Sequence, residues 1–490
     1  MWGIKMKHVN YIFSATKKAI LLVFITFSLP LNTSCQTADK PYVKNPYDFI
    51  AKELFKKQIV MLADNGHQMM LPYLSLISVL QNWKQNILAE ELQNESLTLI
   101  LERGENQIEL IQNYIENGDF KNVHDEFWYY SSQEDLYLLY NLRVLSKELA
   151  NKNIRLKITG FENNFTEEIF YTRSQREADA WFIKERDSVL AVKIRKYIQE
   201  NPRDRILVFY GGLHLIDGYV KKEMATYIVK GDESKGFFLA HYLKDYFGKE
   251  NVITFYQTTI LLSAFEKTEF EEVKNESFLT DAKSKFFEKS DNIKNFNWLV
   301  CRPENMFEQH PIRLVFSQNI LESCLKLWSN HERLNDQYGK RPLRADIQQS
   351  LAFITGKEFT NIDSAKNWIS VHKENYFDRI STEQFSKQIF DMLNKYSKSP
   401  LARQLIIQLG FGPGMANTGY LPTEEEWNKT LWPTVVQHIK YLNAVGLYWI
   451  GTEKEKEKAK IFLMSTTSQD FGEPALYLEW WYKKYCNYSF

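Results

Sequence analysis

Polar residues suited to acid–base or metal chemistry follow four short apolar segments of this chain. They are Asp64-Asn65-Gly66-His67 after 59–63, Glu102-Arg103 after 97–101, Gly160-Phe161-Glu162 after 154–158, and Gly211-Gly212-Leu213-His214 after 206–210. If the apolar segments are parallel strands, their carboxyl ends share one edge of a sheet, where open α/β sheets bind ligands. Histidines, carboxylates and flexible glycines collected at that edge predict a hydrolytic or metal site.

Asp64 and His67 lie close together after the first segment. At a strand-to-helix turn, the carboxylate could orient the imidazole as a base, or both side chains could ligate a metal ion. A hydrogen-bonded polar turn without function is the alternative. The metal hypothesis takes Asp64, His67 and His214 as the ligands.

His214 ends the glycine-rich group after the fourth segment. Gly211 and Gly212 would let the backbone approach a ligand closely or present amide donors to an anion. The alternative is a simple turn with a buried histidine. Because one sheet edge would collect both histidines, we interpret His67 and His214 as catalytic, and Gly211, Gly212 and Glu162 as ligand-binding residues.

Two further residues complete the predicted catalytic set. Glu102 at a strand end is a candidate base, orienting group or ligand, although a pair with its neighbour Arg103 could be purely structural. Arg186 could clamp a carboxylate or phosphate, or stabilise developing negative charge. A surface helix charge is the alternative interpretation of Arg186.

The elements that would position these residues alternate between helix and strand. We predict helices over 47–57, 71–94, 107–115, 135–151 and 177–200, strands at the four segments and at 252–256, and an edge strand at 226–229. Strands that alternate with helices indicate an α/β domain over 47–275, with a mainly parallel sheet and helices on both faces.

After residue 275 the pattern shows helical periodicity and no convincing strand, so we predict an all-α domain over 276–490. This part contains an internal repeat. Leu351, Thr355, Phe359 and Trp368 recur at the same spacing as Leu463, Thr467, Phe471 and Trp480. Each copy indicates a helix, a turn and a helix with aromatics packed between them. The repeat resembles HEAT-like repeats, and a compact helical domain with a duplicated hairpin is the alternative.

The composition excludes some partners. Lys+Arg and Asp+Glu are both 61, so the net charge is zero and nothing favours nucleic acid. The amino terminus is distinctive, because Lys17-Lys18 precede a short apolar stretch that ends near Ser34-Cys35. This is typical of an export signal with a lipoprotein box, although Asn32 departs from the usual aliphatic residue. We predict a signal peptide over 1–35, lipidation of Cys35, a tether over 36–46, and a bacterial cell-envelope lipoprotein.

The order of the motifs resembles the erythromycin esterase-like, ChaN-like and TIKI/TraB group of α/β proteins. Those proteins show Gly-Glu-x-x-His after the first strand, a Glu after the second, a helix with Arg, and a strand that ends in Gly-x-x-His. Here these correspond to Ala63-Asp64-Asn65-Gly66-His67, Glu102, Glu185-Arg186-Asp187, and Gly211-Gly212-Leu213-His214, while Gly160-Phe161-Glu162 is similar to a Gly-x-Asp segment. The resemblance covers about half of the chain.

The chain departs from that group at two positions. Ala63-Asp64 stands in place of Gly-Glu, and Gly211 stands where esterase-like members carry an additional histidine. The group itself includes metal-free hydrolases, metalloprotease-like proteins and haem-binding lipoproteins. The resemblance therefore implies a small-molecule or peptide substrate for a hydrolase, or haem for a binding protein.

Three hypotheses remain. The first is an exported hydrolase that activates water through His67, oriented by Asp64, either directly or on a divalent metal shared with His214. The second is a lipoprotein that binds haem or another ligand without catalysis, with Tyr210 or Tyr73 as an iron ligand. The third is a degenerate scaffold whose helical half binds a protein or glycan.

Overall fold

The computed structural model describes residues 42–64, 70–89, 96–118, 133–162, 186–218, 237–258, 271–273, 276–283, 295–302, short stretches between 324 and 336, and residues 345–372, 379, 381–395 and 421–486. His67, Cys35, the signal peptide and the predicted edge strand at 226–229 lie outside these residues. Within the described residues, no helix is both long and apolar enough to cross a membrane.

The described strands form one mixed sheet of eight strands. They are β1 (Val43–Lys44), β2 (Ile59–Asp64), β3 (Ser96–Leu101), β4 (Arg155–Thr159), β5 (Arg205–Gly211), β6 (Val252–Thr258), β7 (Phe278–Asp281) and β8 (Trp298–Cys301). Their order across the sheet is β1-β7-β8-β6-β2-β5-β3-β4. The pairs from β8 to β4 are parallel, and β7 is antiparallel to both β8 and β1.

Helices cover both faces of the sheet. The helices of the α/β part are α1 (Pro46–Lys56), α2 (Met70–Ala89), α3 (Glu105–Asn117), α4 (Gln133–Ala150), α5 (Arg186–Glu200) and α6 (Leu239–Phe247). The first four pack on one face and the last two on the other. All side chains of β2 are buried, as expected for a parallel strand covered on both sides. Alternate residues serve the two cores, with Val60 and Leu62 on the α1–α4 face and Met61 and Ala63 on the α5–α6 face.

The carboxyl-terminal part is helical. Its longer described helices are α7 (Ala345–Thr355), α8 (Ile362–His372), α9 (Glu383–Lys395), α10 (Trp432–Ile450), α11 (Glu453–Thr467) and α12 (Pro474–Cys486), and short helical turns over Glu424–Glu426 and Trp427–Leu431 lead into α10. The predicted fold class, an α/β part followed by an all-α part, is confirmed. The last three helices share a core with Met70 and Leu71 of α2 and with Leu136 and Tyr137 of α4.

The internal repeat corresponds to two helix–turn–helix segments, α7–α8 and α11–α12. Thr355 ends α7, and its hydroxyl contacts the Leu351 and Lys357 carbonyl oxygens at 2.6 and 3.0 Å. Thr467 makes the same contacts with Leu463 and Gln469, both at 2.9 Å. The next residue is left-handed in both copies, with φ of 67° at Gly356 and 58° at Ser468. The repeated threonine therefore closes the helix end by the same local bonds.

The sheet extends beyond the predicted domain boundary at residue 275. The expectation that no strand follows this residue is wrong, because β7 and β8 do. Both strands have only four residues, which is too short to show a period. The predicted tether over 36–46 also ends earlier, since Tyr42 is buried and β1 pairs with β7.

Candidate functional site

A buried arginine organises the charged residues at the carboxyl edge of the sheet. Arg186 is the first described residue of α5, and its Nη2 donates to Glu102 Oε1 and Glu162 Oε1, both at 2.6 Å. Its Nε lies 3.2 and 3.1 Å from the two Glu162 oxygens, and its Nη1 lies 3.0 Å from His214 Nε2. The pKa of Arg186 is raised, because the two glutamates outweigh the effect of burial. Three sequence-predicted residues are thus brought together around a fourth.

Gly160 lets the chain after β4 pass close to the chain after β3. A Cβ atom at this position would lie 2.4 Å from the Arg103 carbonyl oxygen and 2.9 Å from that of Leu101. The Glu162 amide donates to the same Arg103 oxygen at 3.2 Å. This close approach carries Glu162 to Arg186, where burial raises the glutamate pKa and Arg186 opposes the rise.

His214 lies in the short 3-10 helix that follows β5, and both of its ring nitrogens have partners. Nδ1 lies 2.8 Å from both Asp187 carboxylate oxygens, and Nε2 faces Arg186. Because a guanidinium has only donors, Nε2 accepts in this arrangement, and Nδ1 carries the proton that Asp187 accepts. Asp187 is held in turn by the Leu239 amide at the start of α6, at 2.8 Å.

The acid–base behaviour of His214 is set by opposing charges. Burial lowers its pKa and Arg186 does the same, but the Asp187 and Glu102 carboxylates prevail and raise the pKa to about 10. A second proton, on Nε2, cannot share the 3.0 Å contact with the Arg186 donor. Glu102 Oε1, at 3.6 Å from Nε2, is the acceptor to which that proton would turn.

Glu102 belongs to the cluster around Arg186, which also contains Glu162 and His214, and it lines a small cavity. Its Oε1 pairs with Arg186, and its Oε2 accepts from the Gly211 amide at 2.7 Å. The cavity beside it has a volume of about 20 Å³, enough for a single water. Its polar lining residues are Asp64, Tyr73, Glu102, Arg103 and Asp135. Glu102 is therefore placed between the histidine and the space where a reacting water could bind.

The other polar residues of the cavity approach from the α1–α4 face. The Tyr73 hydroxyl donates to Asp135 Oδ1 at 2.5 Å, and Arg103 Nη2 lies 3.6 Å from the same oxygen. Burial raises the pKa of Tyr73 well above its usual value. Asp64 is buried and pairs in register with Gly211. The predicted base partner Asp64 thus lies at the same edge as Glu102.

Sequence reasoning missed two residues of this arrangement. Asp187 was seen only as the neighbour of Arg186, although an acidic residue next to a candidate clamp arginine is a usable signal. Asp135 is brought in from α4, and no sequence spacing relates it to the site. Of the predicted ligand-binding residues, Glu162 and Gly211 contact the cluster. Gly212 is half-buried and, as a glycine, has no side chain that could make a contact.

The donors present do not fit a divalent metal ion at His214. Nδ1 is used by Asp187, and Nε2 faces the Arg186 cation at 3.0 Å, where a metal ion would be repelled. No group of three or more metal-binding side chains occurs among the described residues. The predicted ligand His67 lies outside them.

The proposed iron ligands do not fit haem. Tyr210 is fully buried, with its ring 5.8 Å from that of His214, and Tyr73 is buried with its hydroxyl on Asp135. The Tyr210 hydroxyl has no hydrogen-bond partner among the described residues. Both phenol oxygens are thus buried, whereas an iron ligand needs an oxygen that the haem can reach.

Comparison with known proteins gives little more. No protein-family model matches the chain, and no curated protein matches it. The crystal structure of a succinoglycan biosynthesis protein is similar at a TM-score of 0.37 and 12% identity, covering 59% of this chain and 97% of that one. The crystal structure of a Bacillus cereus protein is similar at a TM-score of 0.31 and 12% identity, covering 56% of this chain and 94% of that one. At TM-scores this low, neither likeness carries an argument about function.

Proposed function

We propose that the protein is a hydrolase that activates water at Glu102 and His214. The observation that carries the proposal is Glu102 itself, which contacts a water-sized cavity, lies 3.6 Å from His214 Nε2 and is held by Arg186. A carboxylate and an imidazole in this relation can accept and pass a proton.

The proton moves along a short path. Glu102 takes a proton from a water in the cavity as the water oxygen bonds to the substrate's acyl carbon. His214, whose pKa of about 10 keeps it protonated at neutral pH, donates its Nε2 proton to the leaving group as the bond between that group and the acyl carbon breaks, while Asp187 holds Nδ1–H. Glu102 then passes the proton it took from water to His214 Nε2, and both groups return to their starting states.

Positive charge beside the cavity would stabilise the oxyanion of such a reaction. The Arg103 guanidinium lines the cavity, and its Nη1 donates to the Glu102 carbonyl oxygen at 3.0 Å, which fixes its position. Fixed donors aimed at developing charge lower the barrier more than mobile ones. Arg186 has a different task, because its contacts with Glu162, Glu102 and His214 make it a positioning residue.

The resemblance to erythromycin esterase-like proteins supports an ester or a related acyl compound as the substrate. At the two departures the backbone takes part in the arrangement, because the Ala63 carbonyl accepts from Gln257 and the Gly211 amide donates to Glu102. The prediction that His67, oriented by Asp64, activates the water concerns a residue outside the described ones. The unsuitability of His214 as a metal ligand favours metal-free chemistry.

We also propose export and lipid anchoring at Cys35. The support is the sequence alone, with Lys17-Lys18, the apolar stretch and Ser34-Cys35 in the order of a lipoprotein signal. Labelling with a radioactive fatty acid should modify the native chain and leave a Cys35→Ser variant unmodified. Equal labelling of both proteins would contradict this assignment.

The hydrolase proposal is tested by a panel of small esters and lactones. We expect turnover by the purified protein and a fall of about 10²–10⁴-fold in Glu102→Gln, which loses its basic oxygen but keeps its size. Glu105→Gln is the matched control, because Glu105 lies three residues away, is exposed and pairs with Lys193. Equal turnover in Glu102→Gln and the native protein would refute the proposal.

A further inference from the structure

A second buried arginine lies at the same sheet edge, outside the cluster around Arg186. Arg302 directly follows β8, and its backbone amide donates to the Thr258 carbonyl oxygen at the end of β6. The residue is only 5% exposed. The reaction proposed above does not use Arg302.

The described partners of the Arg302 guanidinium are neutral. Its Nη2 donates to the Ser75 hydroxyl at 3.0 Å and to Gln257 Oε1. Its Nε is buried without an acceptor. Among the described residues, no carboxylate forms an ion pair with Arg302, in contrast to Arg186, which contacts Glu102 and Glu162.

The partners of Arg302 are themselves fixed by other bonds. Gln257 Nε2 donates to the Ala63 carbonyl oxygen at 2.6 Å, so its Oε1 is oriented towards the guanidinium. The Ser75 hydroxyl donates to the Tyr47 hydroxyl at 3.3 Å, which leaves its oxygen to accept from Arg302. The guanidinium is therefore held in place by a network whose described members, Ser75 and Gln257, are neutral.

Such an arrangement is costly without an anion. A buried charge with only neutral partners loses several kcal/mol of hydration, which an opposite charge with good hydrogen bonds can repay. Guanidinium groups suit carboxylates and phosphates because two parallel N–H groups match two oxygens. The buried Nε without an acceptor is a donor of the kind such a ligand would use.

The position of Arg302 relates it to the proposed reaction. β8 is two strands from β2 in the sheet, so Arg302 starts about 10 Å from the end of β2, where Asp64 lies. Glu102 follows β3, two strands from β2 on the other side. A substrate that extends along the edge would thus place one end near Glu102 and the other near Arg302.

We propose that Arg302, with Ser75 and Gln257, binds an anionic group, a carboxylate or a phosphate, on the substrate. That the bound molecule is the substrate rests on the proposed hydrolase function, whereas the anion site itself rests on the contacts of Arg302. An acyl compound with an acidic group remote from the bond that is cleaved would satisfy both ends of the edge.

The test measures anion binding rather than turnover. The melting temperature of the full chain is followed with inorganic phosphate and, separately, with acetate, against chloride at constant ionic strength. We expect at least one of the two anions to raise the melting temperature by about 1–3 °C, because a ligand that binds only the folded state stabilises it. The anion with the larger effect identifies the acidic group.

Three variants locate the effect. Arg302→Gln should lose the stabilisation, and Arg302→Lys should weaken it several-fold, because an ammonium cannot make the two parallel bonds. Arg205→Gln is the control, since Arg205 lies at the start of β5, at the opposite edge of the sheet, and should respond like the native protein. If Arg302→Gln fails to fold, an unchanged response in Arg302→Lys overturns the proposal.

Failure of this inference is distinguishable from failure of the hydrolase proposal. Glu102→Gln should keep the response to anions even where turnover is lost. No response of the native protein to either anion, or an equal response in Arg302→Gln, overturns the anion site and leaves the Glu102 assignment intact.

Discussion

Arg186 illustrates how one side chain can hold several acidic groups in place. It is buried between Glu102 and Glu162, with His214 on its third nitrogen. Replacing it with Gln leaves two carboxylates buried side by side. We expect Arg186→Gln to lose about 3–5 kcal/mol of unfolding free energy in denaturant titration, since breaking a buried ion pair strands its partners.

The control for this variant lies on the same helix. Arg195 is exposed, and its guanidinium packs over the Tyr246 ring. Arg195→Gln should change the stability by less than about 0.5 kcal/mol, as is usual for surface positions. Similar losses in the two variants would show that Arg186 does not have the organising role given to it.

His214 gives the site a defined pH response. Its pKa in the folded protein is raised to about 10, against an unfolded value of 6.5. The stabilisation is therefore complete below pH 6.5 and is lost as the pH rises through about 10. We expect the difference in unfolding free energy between native protein and His214→Gln to shrink across this window. A difference that grows with pH would mean that the folded-state pKa is lowered.

At the residue scale, the sequence predicted which residues belong to the site better than it predicted which of them contact one another. Glu102, Glu162 and His214 were candidates because each follows a predicted strand, and strand ends meet at one edge, whereas Arg186 was a candidate as a cation within the predicted helix over 177–200. Their pairing was not predictable, since Arg186 could equally have been an exposed helix charge. Asp135 was missed because only the packing of α4 against α2 brings it to Tyr73.

At the scale of elements, the close passage of two loops positions Glu162. Gly160 has no room for a side chain, because a Cβ atom would meet the backbone oxygens of Arg103 and Leu101. We expect Gly160→Ala to cost about 1–3 kcal/mol of stability, as overpacking does, and to lower turnover by moving Glu162 away from Arg186. Melting curves and kinetics of the same preparation would measure both.

A suitable comparison is Gly472, where nothing lies within 4 Å of an added Cβ atom, although its φ of 76° imposes strain of its own. Gly472→Ala should reduce stability without reducing turnover by the folded protein. If Gly160→Ala likewise left turnover unchanged, the link between this passage and the site would be wrong.

The elements themselves were largely predictable. Apolar segments such as 59–63 and 206–210 became central parallel strands, because both of their faces are covered by helices. The strands β7 and β8 escaped notice because a strand of four residues carries too few side chains to show a pattern. Lys44, in the two-residue edge strand β1, was taken for part of a tether for the same reason.

At the scale of the whole molecule, the helical part and the α/β part share a core. Tyr137 of α4 donates to Glu479 of α12 at 2.9 Å, and Tyr482 donates to Glu134. We therefore expect calorimetry to show one cooperative unfolding transition rather than two. Two well-separated transitions would instead favour independent domains, as the change of sequence pattern near residue 275 suggested.

The most direct test of the hydrolase account is a double-mutant cycle between Glu102 and His214. If the two groups pass one proton, Glu102→Gln and His214→Gln should each reduce kcat/KM by about 10²–10⁴-fold, and the double variant should lose little more. His241→Gln is the control, because His241 also contacts an aspartate, Asp217 at 3.3 Å, and its described contacts do not include Glu102, Arg186 or His214. Losses that multiply in the double variant, or full activity in either folded single variant, would contradict the account.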